Sequence, residues 1–333
     1  MTARTSSTDQ HYVPQFLLRG FSSGKRKQLY VFDKALGRVF RSSVRNLACE
    51  RNFYEFENDS ASDASRVDRW LGQLEHAAAP IIESVRTRCA LQKLGAAERQ
   101  WVAAFVAVQI VRTRQHREQW AHLVREVTQT LVEMGADLKN VEGFQPMTDE
   151  QIRHESIAGI PSSAFKLLPH ILDKAWLLFS APRAHPFWIG DHPVTLANNL
   201  NPGDGIRGTL GVAVRGIEIY IPFSSEIMLG CLCPTVLSMF LAAKNRLINP
   251  EHLSRGRVDE FLAAFEGSTT VLLEPENVMY HNSLQVLHAE RFLYSAHNDF
   301  EVARDMIKTN PHARVGPRAE MVGGRRQVKK NMG

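Results

Sequence analysis

The sequence predicts an α+β fold, and three observations carry that reading. Apolar residues at helical spacing dominate the middle of the chain. Short runs of β-formers separated by turn residues occupy residues 28–56. After residue 181 strand-like and helix-like stretches alternate, which suits a mixed, mostly antiparallel β/α second half.

Gln28 to Phe32 reads as a strand, Asp33 to Gly37 as a turn and Arg38 to Arg41 as the returning strand. Phe53 to Phe56 is another short candidate. Val67, Trp70, Leu71, Leu74, Ala78, Ile81, Ile82 and Val85 form one helical stripe. Residues 96–134 form one long helix or two in succession, and residues 148–160 and 162–180 also read as helical. In the second half, Phe187–Ile189, Ile217–Ile221, Ile227–Cys231, Thr270–Leu273 and Phe292–Ser295 read as strands. Thr235–Arg246, Val258–Phe265, Glu276–Leu287 and Glu301–Ile307 read as helices. The expected organisation is a loose N-terminus over residues 1–10, a strand-then-helix lobe over 11–180 and a mixed lobe over 181–310. One interwoven domain is the alternative to two lobes. Residues 311–333 read as a disordered basic tail.

Composition excludes several classes. Of 333 residues, 44% are hydrophobic and 23% are charged, ordinary globular usage. No run reaches the roughly 18 apolar residues of a membrane span. The polar opening MTARTSSTDQ has no apolar core to act as a secretory signal. Cys49, Cys89, Cys231 and Cys233 are too scattered for a disulfide framework, so a reducing cytoplasm is expected. The net charge is +5. The tail holds Arg314, Arg318, Arg325, Arg326, Lys329 and Lys330 against Glu320 alone, so the whole excess sits there. Such a tail is either an inert solvated end or a weak, nonspecific contact for nucleic-acid phosphates.

Five stretches could carry chemistry. His11-Tyr12-Val13-Pro14-Gln15 puts an imidazole, a phenol and an amide beside apolar anchors. His11 either exchanges protons near neutral pH or simply pins the N-terminus. Asn46 to Tyr54 is dense in polar groups, with Glu50 and Asn52 as binding candidates or as turn residues. Glu75 lies beside the buried stripe of its helix, with Pro80 five residues on. WVAAFVAVQIV, residues 101–111, is apolar all round except for Gln109, whose amide must therefore be buried. Arg112 follows one turn later and could meet Glu75 across adjacent helices. That pair is either a structural network or the wall of an anion-binding cleft. Phe187-Trp188-Ile189-Gly190-Asp191-His192-Pro193 ends a strand in a carboxylate and an imidazole. Such a pair suits metal ligation or acid–base work, or else a turn in which Asp191 caps its own backbone. The pattern Gly203-Asp204-Gly205-Ile206-Arg207-Gly208 lacks the βαβ setting of a dinucleotide site. No GxSxG elbow, P-loop or HExxH is present.

HYVPQFLLRGF, CERNFYEF, the helical Glu75, the Gln109–Arg112–Thr113 group, GDHPV and Asn282 occur in an order that resembles the mainly bacterial domain-of-unknown-function family 4238. The likeness runs from about His11 to Asn282. It implies a map of site residues and no mechanism.

The expected function is a hydrolase or nuclease-like enzyme acting on a phosphate-containing small molecule or nucleic acid. The expected catalytic residues are His11, Glu75 and Asp191, with Gln15, Glu50, Asn52, Gln109, Arg112 and His192 binding. Glu75 and Asp191 would hold a divalent metal if one is used. The alternative is a noncatalytic ligand-binding or interaction module with the same cleft. No membrane is expected as a partner, and the oligomeric state is open.

Overall fold

In the computed structural model, residues 9–22, 27–54, 62–200, 210–246 and 254–318 are described. Strand β1 (Asp9–His11) opens the chain, so Asp9 and Gln10 belong to the fold where a loose end was expected. Pro14 holds an extended backbone ahead of the single turn α1 (Gln15–Leu18), which sinks Leu17 and Leu18 into the core. Strands β2 (Gln28–Asp33) and β3 (Arg38–Ser43) form the hairpin that the Asp33–Gly37 turn residues specify. Strand β4 (Cys49–Arg51) returns to pair antiparallel with β1, setting His11 opposite Cys49. Phe53 and Tyr54 then form a turn rather than a strand; Glu55 and Phe56 lie outside the described residues.

Helix α2 (Ser62–Arg88) carries Pro80 within its length. The Glu98 carboxylate accepts a 2.9 Å bond from the Gly95 N–H at the start of α3 (Ala96–Val111). Helix α4 (Arg114–Glu133) is separate because Thr113 breaks the run and caps the new helix, accepting from the His116 N–H. Thr148 and Gln151 bond each other's backbone at the start of α5 (Asp149–Ala158), and α6 (Ile160–Leu172) follows Gly159.

The helix expected over 162–180 stops at Leu172, and β5 (Ala175–Ser180) takes its place. A short apolar run such as Trp176-Leu177-Leu178-Phe179 has the same pattern in a buried strand as in a buried helix. Two short strands, β6 (Ile189–Gly190) and β7 (Thr195–Ala197), precede β8 (Glu218–Pro222) and β9 (Ile227–Leu232). Then come α7 (Pro234–Lys244), α8 (Arg255–Phe265), β10 (Thr270–Leu272), α9 (Pro275–His288), β11 (Phe292–Ser295) and α10 (Glu301–Thr309).

The larger sheets run β10-β5-β9-β8-β7 and β3-β2-β11-β6. All their pairings are antiparallel except β10 with β5. Because β2 pairs with β11, strands from the two ends of the chain share a sheet. One cluster of buried apolar side chains extends from Tyr12 to Tyr294. The glycine motif at 203–208 lies outside the described residues.

Residues 311–318, expected to be loose, are fastened to this body. Arg318 makes two bonds to Glu290, at 2.9 and 2.7 Å, and Gln115 donates to the Pro317 carbonyl. Arg314 reaches the Lys34 and Ala35 carbonyls. A Cβ at Gly316 would stand 2.6 Å from Glu290 Oε2, so a larger residue there would have to displace the carboxylate that Arg318 holds. The sequence offered no apolar face here, and polar contacts do the fastening instead.

Candidate active site

Arg112 ends α3 with its side chain only 2% exposed. Its guanidinium donates to Glu75 Oε1 at 2.6 Å, to the His11 carbonyl at 2.6 Å and to the Tyr54 hydroxyl at 3.1 Å. Burial opposes its charge, but Tyr54 and Glu75 outweigh burial and hold it firmly protonated. Tyr54 is fixed in turn: its N–H donates to Gln10 and its hydroxyl to the His11 carbonyl. One arginine thus ties α3 to α2, to β1 and to the turn after β4.

Glu75 comes from α2, and its side chain is 28% exposed. Arg112 holds one of its oxygens; the other has no bond from a described residue. The His11 ring turns toward Arg45, Nε2 lying 3.0 Å from that carbonyl. A carbonyl only accepts, so Nε2 carries the proton and Nδ1 keeps a lone pair. Burial lowers the His11 pKa, against the Arg45 carbonyl and Glu75, which favour the charged ring. Gln109, one turn before Arg112, is fully buried, and neither its oxygen nor its nitrogen has a partner. Gln15 is half-buried at the start of α1, and its side chain makes no hydrogen bond to a described residue.

The remaining expected residues do other work. Glu50 lies between Arg117, at 3.0 Å, and Arg114, at 3.5 Å. Asn52 is an exposed turn residue with a left-handed backbone, φ 55°, and only its carbonyl is engaged, by Arg153. Asp191 is buried, and its two oxygens accept three backbone N–H bonds, from Glu290, Arg291 and Phe292, at 2.7–3.0 Å. It caps a segment about a hundred residues away rather than its own turn. Burial pushes its carboxyl up to about 6, although the amides and Lys34 pull the other way. His192 is buried against the Thr113 hydroxyl at 2.6 Å, and burial pushes its pKa well down. Burial thus favours the neutral ring.

The expected cluster thus divides. His11, Glu75 and Arg112 meet; Asp191 hydrogen-bonds a different set of partners, and it is linked to the first set through the neighbours Thr113 and His192 and through Tyr12, which lies within its electrostatic reach. Backbone amides engage both Asp191 oxygens, whereas one Glu75 oxygen is held by Arg112. Among the described residues no group of three or more His, Cys, Asp or Glu is placed to hold a metal ion.

The sequence reading missed Lys34. It is fully buried and donates to the Val286 and Ala289 carbonyls, both at 2.6 Å, at the C-terminus of α9. Burial lowers its pKa to about 8, while Asp191 and Glu290 favour its charge. Next to it Arg291 makes a two-pronged pair with Asp33. A lysine in a turn ordinarily reads as solvated, so nothing local marks this one. Asn282 also has a definite task. It accepts from the Trp188 N–H and donates to the Pro186 carbonyl, while Gln285 does the same for Gly190 and Pro193. These two amides, one turn apart on α9, clamp the segment that leads into Asp191.

The family model described as Protein of unknown function (DUF4238) matches residues 9–299. The chain belongs to that family. The DUF4238 match spans both the Arg112 cluster and the Asp191 cap. No curated protein and no solved structure matches the chain. No helix among its described residues is long and apolar enough to cross a membrane.

Proposed function

We propose that this DUF4238 chain is a hydrolytic enzyme acting on a phosphate-containing substrate, with His11 and Glu75 as its acid–base pair. The observation that carries this reading is the state of Glu75. A buried arginine clamps one of its oxygens, the other takes no bond from a described residue, and an imidazole whose Nδ1 has no partner among the described residues lies within its electrostatic reach. A fixed carboxylate can orient a water, and a neutral imidazole can take its proton. The unpaired Gln109 amide, buried one turn away, is a place where a polar substrate group or water would be welcome. Arg112 has spent its fork on the protein, so the anion falls to Arg114 and Arg117, which now rest on Glu50.

The test is hydrolysis of bis(p-nitrophenyl) phosphate, p-nitrophenyl phosphate and a nucleotide panel, with and without added Mn²⁺. His11→Gln and Glu75→Gln should each lower kcat by about 10²–10⁴-fold, the usual worth of a positioned acid or base. Activity that survives both changes would sink the assignment. A noncatalytic binding module is the second reading, favoured by the complete internal use of Arg112 and Asp191. It predicts ligand binding with no turnover.

A further inference from the structure

A second polar site lies at the start of β8, one strand in from the edge of the five-stranded sheet, independent of the His11–Glu75 reading. Glu218, the first residue of β8, is only 7% exposed. One of its oxygens accepts from the Tyr220 hydroxyl at 2.7 Å and from the Asn199 amide at 3.0 Å. Among the described residues no lysine or arginine pairs with it. Burial pushes its pKa up, and only the two neutral donors resist. A buried carboxyl without a countercharge is an unusual arrangement, because buried charges are ordinarily paired.

The surroundings complete the picture. His281, on α9, is also 7% exposed, and its Nδ1 has no hydrogen-bond partner. Its ring lies 4.5 Å from that of Tyr220 and 5.2 Å from that of Tyr280, nearly edge-on to both. Burial lowers its pKa to about 3, so the imidazole brings no positive charge and one nitrogen keeps a lone pair. Tyr280 is 36% exposed and hydrogen-bonds Asn199, which makes these two the outer rim. A carboxyl group, an amide oxygen, phenol oxygens and aromatic rings are therefore assembled together, with no cation among the described residues there.

We propose that Glu218, Tyr220, Tyr280 and His281 form a binding site for the ammonium group of an organic amine. An ammonium has donors for the carboxylate and for neutral acceptors beside it, and it is attracted to the faces of tyrosine rings. It would also supply the countercharge that no described residue gives Glu218. The rings favour an organic cation over a bare inorganic ion, for which an all-oxygen cage is the usual host.

The test uses the full chain with ring-labelled histidine and tyrosine, followed by NMR during titration with ethylammonium chloride. Ethanol serves as the neutral analogue and KCl as the inorganic cation. Ethylammonium should give saturable shifts at His281 and Tyr280, and ethanol and KCl should not. Glu218→Gln keeps the shape of the side chain and should weaken binding at least tenfold. Tyr280→Leu, at the exposed rim, should also weaken it and carries the test if Glu218→Gln does not fold. No saturable shift, equal affinity in a folded variant, or an equal response to KCl would overturn the proposal.

Discussion

Replacing Arg112 by glutamine separates the parts of its network. The guanidinium has three partners of unequal accessibility. Glu75, with a side chain 28% exposed, can recover water when the arginine leaves, so its stranded charge costs little. The His11 carbonyl and the Tyr54 hydroxyl keep their bond to each other, but each loses a charged donor in a dry setting, and a hydrogen bond to a charged group is worth about 1.5–3 kcal/mol. Arg112→Gln should therefore destabilise the fold by about 3–6 kcal/mol from these two bonds, a large share of the roughly 5–15 kcal/mol that holds a domain together. Glu75→Gln acts in the opposite sense. It leaves a guanidinium only 2% exposed without its countercharge, so it should cost more than the exposure of Glu75 suggests. In the double variant no charge is stranded, and the loss should fall short of the sum of the singles by about 1–3 kcal/mol. Urea unfolding followed by circular dichroism measures all three. Additive effects, or single losses under about 1 kcal/mol, would refute the idea of a coupled buried network.

The other predictions concern the second polar cluster and the chain end. Asp191 has a pKa raised to about 6, so the folded chain holds a proton there that the unfolded chain gives up near 4. Stability should fall by about 3 kcal/mol as pH rises through that window, and Asp191→Asn should flatten that limb of the unfolding profile. Lys34 shifts the opposite way: with its pKa lowered to about 8, the folded chain releases the proton before the unfolded one. Stability should therefore rise between about pH 8 and 10.5, and Lys34→Met should abolish that rise while freeing the C-terminus of α9 to faster amide exchange. Truncation after Asn310 removes the Arg314 and Arg318 contacts and should lower Tm, whereas truncation after Arg318 keeps them and should leave Tm unchanged. Asn282→Leu strands the Trp188 N–H and the Pro186 carbonyl and should cost about 2–4 kcal/mol in the same urea assay.

How far the site was legible depends on the range of the forces behind each residue. The apolar run around Gln109 announces a helix buried on all sides, and the run's one amide is buried with it. The faces of α2 and α3 bring Glu75 and Arg112 within reach because helical spacing sets side-chain direction locally. The turn chemistry of Asp33–Gly37 specifies the hairpin by the same kind of short-range rule. Asp191 was visible as a polar residue at a strand end, but its partners were not: they are the backbone N–H groups of residues 290–292.

Local pattern alone therefore determined the α+β class, most helices and the β2–β3 hairpin, and it left Glu75 and Arg112 as a pair that could meet. These depend on periodicity, on caps and on turn residues, all of which act within a few positions along the chain. Only the tertiary structure decided that Ala175–Ser180 is a strand, because β9 and β10 supply its hydrogen bonds. Only it decided that Lys34 is buried, because β2 pairs with β11 and brings the end of α9 over the turn. Likewise it decided that Asp191 meets the backbone N–H groups of residues 290–292 and that His192 meets Thr113. A polar side chain has the same appearance in sequence whether it meets solvent, substrate or a distant backbone amide, and its role follows from which of these the fold brings to it.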